Sequence, residues 1–181
     1  MELWDLYDRD LRPTGETHER GKPLPEDRYH MVVHVIIFST DGRMLIQQRQ
    51  PFKEGWPNLW DVTVGGSAIA GDTSCTAAAR ELQEELGLTA DLTFERPKLT
   101  IHFSVGFDDI YTLIWDVDLT SITMQETEVQ AVKWATEEEI HRMIDDGSFI
   151  PYHHSLISLL FLLRRQRGTV TKPDRGEEAK A

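Results

Sequence analysis

The stretch GSAIAGDTSCTAAARELQEELGL, from Gly66 to Leu88, decides how the rest of the chain is read. Asp72, Thr73 and Ser74 are helix-start residues and Gly87 is a helix stop, so the residues between them predict the strongest helix in the sequence. At about 100° per residue over 74–86, Glu81, Glu84 and Glu85 fall within an arc of about 100°, and Cys75, Ala78, Ala79, Leu82 and Leu86 occupy an adjoining one. One face packs and another carries carboxylates. Like charges at i,i+4 cost an isolated helix a few tenths of a kcal/mol, so the cluster points to a bound cation. Hard oxygen ligands select magnesium or manganese. Taken alone, ELQEEL is more often a solvated helix face.

Working outward, MVVHVIIF (31–38) reads as a buried strand, and the Asp41-Gly42 turn predicts that it pairs antiparallel with 43–49. WDVTVG (60–65) is a further short strand after the loop PFKEGWPNLWD. The segments DLTFERPKLTIHFSV, YTLIWDVDL and EVQAVKWA are rich in β-branched and aromatic residues and read as later strands. TEEEIHRMIDDG predicts a helix with Thr136 and Glu139 forming a capping box, and PYHHSLISLLFLLRRQ a last helix. The opening 22 or so residues read as a strand or hairpin followed by a loop. The expected fold class is α/β (α+β), an α/β/α sandwich on a mixed sheet. One domain is expected over 1–168, followed by a polar tail at 169–181 that contains Pro173 and Gly176.

Composition narrows the function. With 19 Lys and Arg against 31 Asp and Glu, the net charge of -12 repels polyanions and argues against nucleic-acid binding. A small anionic substrate would need local cations or a metal. The lone Cys75 and the acidic start MELWDLYDRD lead to a cytoplasmic expectation. No apolar run approaches the ~20 residues of a membrane span, and SLISLLFLL ends in Arg164 and Arg165.

Written as Gly66-x5-Asp72-x7-Arg80-Glu81-Leu82-x-Glu84-Glu85-x-Gly87-Leu88, the opening stretch resembles the Nudix box, G-x5-E-x7-R-E-U-x-E-E-x-G-U with U aliphatic. Asp72 departs from the pattern, standing where the family has Glu, at a position that supports the loop and the helix start. The resemblance implies a hydrolase cleaving a diphosphate linkage in a nucleoside-diphosphate-type or related small molecule. It implies Mg2+ (or Mn2+) held by Glu81, Glu84, Glu85 and the Gly66 carbonyl. Glu84, Glu85 and Arg80 would form the catalytic group, with Arg80 orienting a carboxylate and not touching substrate. A general base comes either from the box or from a later loop, where Asp108, Asp109, Glu126 and Glu128 are the candidates. Relatives often dimerise, so a homodimer is one implied arrangement.

The residues before the box, YHMVVHVIIFSTDGRMLIQQR and the Lys53, Trp56, Pro57 and Trp60-Asp61 positions after them, resemble the Nudix branch that includes type I isopentenyl-diphosphate isomerase. Arg49 and Lys53 then match its diphosphate-binding cations. Val64 stands in place of its catalytic cysteine and Ser67 in place of a metal histidine, which argues against isomerisation. His30 matches another metal histidine, but Pro23 stands where its companion would be. His30 and His34 therefore read as core or pocket-wall residues. Trp56 and Trp60 read as core caps, with stacking on a substrate as the alternative. A non-catalytic binding module is the third reading, and the retained carboxylates weigh against it.

Overall fold

Residues 2–165 are described in the computed structural model; the expected tail at 169–181 and the expected domain end at 168 lie outside them. In chain order the elements are β1 (Leu3–Tyr7), β2 (Pro13–Glu19), β3 (His30–Phe38), β4 (Met44–Arg49), β5 (Trp60–Asp61), β6 (Val64–Ser67), α1 (Ser74–Leu86), β7 (Leu99–Phe103), β8 (Gly106–Ile114), β9 (Val129–Ala135), α2 (Glu137–Asp145) and α3 (His154–Leu163). β1 and β2 form a separate two-stranded hairpin, and the other seven strands make one mixed sheet.

β3 is apolar on both faces, and its period of two sends alternate side chains into two cores. Met31, Val33, Val35 and Ile37 join Ala77, Ala78, Leu82 and Leu86 of α1 on one side. Ile36 and Phe38 join Ile140 of α2 and Ile157, Leu160 and Phe161 of α3 on the other. Helices therefore cover both faces, which is the α/β/α sandwich expected from the sequence. Both predicted caps are present: Thr136 and Glu139 satisfy each other's backbone amides at α2, and Gly87 ends α1 in the left-handed region at φ 67°. Among the described residues no helix is long and apolar enough to cross a membrane.

The expected hairpin of 31–38 with 43–49 forms only at its turn. A single pair, Phe38 with Met44, is made before the strands part. β3 is claimed along its whole length by parallel β8 and along Val32–Val35 by β6, while β4 pairs with β9 and β5. The predicted strand 60–65 is accordingly two strands: β5 pairs with β4, the chain crosses, and β6 pairs with β3. Thr63 fills the gap at the crossing. Its hydroxyl accepts from Ile37 N (2.9 Å) and donates to Leu45 O (2.5 Å), two groups that a continuous hairpin ladder would have occupied.

Two later strand expectations also shift. β8 starts at Gly106 and ends at Ile114, so WDVDL lies outside it and GFDDIY lies inside it; DLTFERPK precedes β7 and is not strand.

Thr63 is fully buried. Thr63→Val should therefore cost about 2–4 kcal/mol in urea denaturation, since a buried amide and a buried carbonyl lose their partner. Thr63→Ser, which keeps the hydroxyl, should recover most of that loss.

Candidate active site

The box loop and α1 converge on Arg80. Its guanidinium donates to Asp72 Oδ2 (Nε 3.2 Å, Nη2 3.0 Å), to Glu81 Oε1 (2.9 Å), to Glu84 Oε2 (3.1 Å) and to the Ser67 carbonyl (3.1 Å). Asp72 also accepts from Ile69 N and Thr76 Oγ1, so the shorter acid reaches both the loop and the helix start. Burial opposes the Arg80 charge, but the Glu81 and Asp72 carboxylates outweigh it and hold its pKa above the usual value. Arg80 is used up in holding the loop and two box carboxylates.

The three carboxylates are not equivalent, and this corrects the picture of one open acidic face. The Glu84 side chain is half exposed, whereas Glu81 is largely enclosed and Glu85 lies in the packing face of α1. Ala77 is fully buried in that face, while Cys75 and Ala79 sit at its edge. Glu81 lies against Gly66 so closely that a Cβ there would overlap its carboxyl group. Glu85 accepts from Gln47 Nε2 of β4 at 2.8 Å. Burial pushes the Glu85 carboxyl up to about 8, with Glu81 and Asp61 adding to the rise and the Gln47 hydrogen bond opposing it. Burial likewise raises Glu81, with Arg80 opposing.

β4 and the segment before β9 bring the remaining groups. Gln125 N donates to Glu85 O and Thr123 N to Leu86 O, docking residues 123–128 on the C-terminal end of α1. Glu128 is thereby carried to Lys53, whose Nζ lies 2.5 Å from its Oε2. Arg49 Nε donates to Gly55 O (3.0 Å), and Nη1 is 3.6 Å from Asp61 Oδ2. Arg49, Lys53, Gly66, Arg80, Glu81, Glu84, Glu85 and Glu128 all line one polar cleft. Glu2 and Arg20 line it too, and sequence reading did not single them out. They come from the far N-terminal hairpin, and nothing local in their sequence marks them.

The other candidates lie elsewhere. Asp108 and Asp109 are strand residues, not loop acids, and point to opposite faces of β8. Asp109 is buried, accepting from Ser74 Oγ and Thr100 Oγ1 at 2.6 Å each, so it is removed from the cleft. Asp108 pairs with His34 Nδ1 at 2.8 Å. Burial disfavours the charged imidazole, but Asp108 prevails and raises the His34 pKa. His30 is buried against Trp4, which lowers its pKa. Glu126 is exposed and does not line the cleft. Trp60 packs on the α2/α3 core under Lys133, and Trp56 is half exposed at φ 51°. Cys75 lies near the other end of α1, 3.5 Å from Tyr111 Oη.

The donor set suits a hard divalent cation, being carboxylate oxygens beside a glycine whose missing side chain makes room for the Glu81 carboxyl group. Among the described residues, no three acid, histidine or cysteine side chains converge closely enough to cage an ion, and Glu84 leans to Arg80.

A mixed sheet between helices carries an acidic loop–helix–loop that shares one cleft with Arg49 and Lys53, an arrangement suited to an enzyme active site. The NUDIX domain family matches residues 28–155, and the chain belongs to the Nudix family as a Nudix hydrolase. It is 47% identical over 152 residues to an uncharacterized Nudix hydrolase of Listeria monocytogenes, covering 84% of this chain and 90% of the relative. Against Nudix hydrolase 3 of Arabidopsis thaliana it is 34% identical, covering 92% of this chain and 24% of that longer protein. The crystal structure of DR0079 from Deinococcus radiodurans shares the fold at TM-score 0.72, with 24% identity over 87% of this chain and 98% of that one.

With Glu85 raised to about 8, the folded chain keeps a proton that the unfolded chain has already released between about pH 5 and pH 8. Without divalent ions, stability should therefore fall as pH rises through that window. Glu85→Gln should remove a share of this decline on the order of a few kcal/mol, read from urea denaturation at pH 5 and pH 8. An unchanged slope would contradict the buried carboxyl.

Proposed function

We propose that this protein is a metal-dependent hydrolase that cleaves a diphosphate linkage in a nucleoside-diphosphate-type or related small molecule. The observation that carries the reading is that the box carboxylates share one cleft with two cations, Arg49 at the end of β4 and Lys53 in the loop after it. Glu81, Glu84, Glu85 and the Gly66 carbonyl would hold Mg2+, with Mn2+ as the substitute. A divalent ion bound there would neutralise charge on the diphosphate oxygens and make water more acidic.

The chain's own residues supply the rest. Arg49 and Lys53 bind the diphosphate; their present partners, Asp61 and Glu128, are carboxylates that a more highly charged anion displaces. Losing Lys53 to the substrate frees Glu128 at the cleft wall, where it can take the proton of the attacking water. Glu128 is thus the general base in this reading, in preference to Asp109, whose oxygens are already engaged by Ser74 and Thr100. Arg80 holds Glu81 and Glu84 in place and makes no contact with substrate. Gln47 positions Glu85 from behind.

The resemblance to the isomerase branch extends to the cations, not to its chemistry. Val64 is fully buried, and the Cys75 thiol is not among the groups lining the cleft.

Glu84→Gln and Glu85→Gln should each lower turnover about 100-fold or more in a phosphate- and nucleotide-release screen with magnesium, while melting stays cooperative. Wild-type turnover in both variants would refute the assignment. Incubation with isopentenyl diphosphate should give no dimethylallyl isomer by NMR.

A further inference from the structure

The family match begins at Arg28, so the β1–β2 hairpin precedes it. The hairpin nevertheless forms part of the cleft wall through Glu2 and Arg20. It is fastened to the box loop by two backbone amides: Ala70 N donates to Leu3 O and Gly71 N to Asp5 Oδ2, both at 2.7 Å. Trp4 stacks on His30 with centroids 4.2 Å apart and planes 9° apart, fixing the other side. Arg20 therefore stands on an anchored base.

Among the described residues, four cationic side chains line the cleft. Arg80 is committed to the box, and Arg49 and Lys53 come from β4 and the loop after it. Arg20 is the one brought by a separate element. Its Nη1 donates to both carboxylate oxygens of Glu2, at 2.9 and 3.1 Å, and Trp4 Nε1 steadies the same carboxylate at 3.2 Å. No other hydrogen bond is made by its guanidinium among the described residues. The pair is open to solvent, with side chains 55% and 36% exposed, and solvent-exposed pairs of this kind add little stability. Glu2 is held by the single Nη1, whereas a phosphoryl group carries more negative charge than a carboxylate and can take two parallel N–H···O bonds from the guanidinium. A second, open depression over Leu3, Ile69 and Ala70 adjoins the cleft and shares Glu2, Arg80 and Glu84 with it.

We propose that Arg20 is a further substrate-binding residue, exchanging Glu2 for an anionic group of the substrate that lies beyond the cleaved diphosphate. The hairpin thereby selects compounds carrying a third phosphoryl group. This assignment rests on reading the cleft as a diphosphate site. Glu2 is a placeholder that keeps the guanidinium in position and is released when the substrate arrives.

The test is calorimetric titration of the full chain with inorganic triphosphate and with pyrophosphate, at one salt concentration and with calcium in place of magnesium to slow turnover. Arg20→Ala should weaken triphosphate binding about tenfold or more and leave pyrophosphate within about twofold. Arg20→Lys should fall between, and Glu2→Gln should tighten triphosphate binding. Equal weakening of both anions, no weakening of either, or a wild-type chain that binds neither would overturn the assignment. A parallel turnover assay separates the two readings. If Glu85→Gln retains wild-type turnover while Arg20→Ala still selectively loses triphosphate, the hydrolase reading fails and the Arg20 assignment stands.

Discussion

The cleft depends on two strands parting one residue pair after their turn. β3 and β4 begin as a hairpin at Phe38 and Met44, then diverge, and the chain from Trp60 to Ser67 crosses from one to the other. The crossing is possible because the Thr63 hydroxyl meets the amide of Ile37 and the carbonyl of Leu45 in the gap. Were the ladder continuous, those groups would pair with each other and no opening would exist. The parting leaves Gln47 and Arg49 on one side and Gly65 and Gly66 on the other. The box helix then closes over the gap, with Glu85 against Gln47 and Glu81 against Gly66.

Charge inside this opening is closely paired. Arg80 answers Asp72, Glu81 and Glu84; Lys53 answers Glu128; Arg49 approaches Asp61; Arg20 answers Glu2. In a chain of net charge -12, each of these cations is held beside a carboxylate. The pairs differ in burial, and burial decides their use. The Arg80 pairs with Asp72 and Glu81 are largely enclosed and act as structure, because separating them would strand charge away from water. The Arg20 and Glu2 pair is exposed and weak, which suits it to exchange. Glu85 has no cationic partner of its own among the described residues, and its raised pKa is the cost of burying a carboxyl beside other acids.

Much of this was readable from the chain alone. The helix at 74–86, its glycine stop, the Thr136–Glu139 capping box and the two-faced apolar strand at 31–38 depend on short-range spacing, and the box carboxylates and Arg80 occur at fixed offsets within 23 residues. Arg49, Lys53 and Glu128 were singled out, and the fold brings them to one cleft. Other readings failed where pairing partners compete. Asp-Gly between apolar runs is a true turn signal, yet β8 and β6 bind the edges of β3 and displace β4 beyond the first pair. Asp109 was indistinguishable from a loop acid because Gly106 and two acids in a row resemble a turn; tertiary pairing with β3 draws the segment into a strand and buries the carboxylate against Ser74 and Thr100.

The family, the sandwich of helices on a mixed sheet and the identity of the box residues were legible along the chain, because each follows from local periodicity and fixed spacing. Only the tertiary structure decided which acids share water with the cations. Burial and proximity are set by neighbours distant along the chain: Glu85 is enclosed by β4, Glu128 is carried in by the 123–128 segment, and Glu2 and Arg20 arrive on a hairpin some 50 residues before the box. No spacing rule along the chain encodes such meetings.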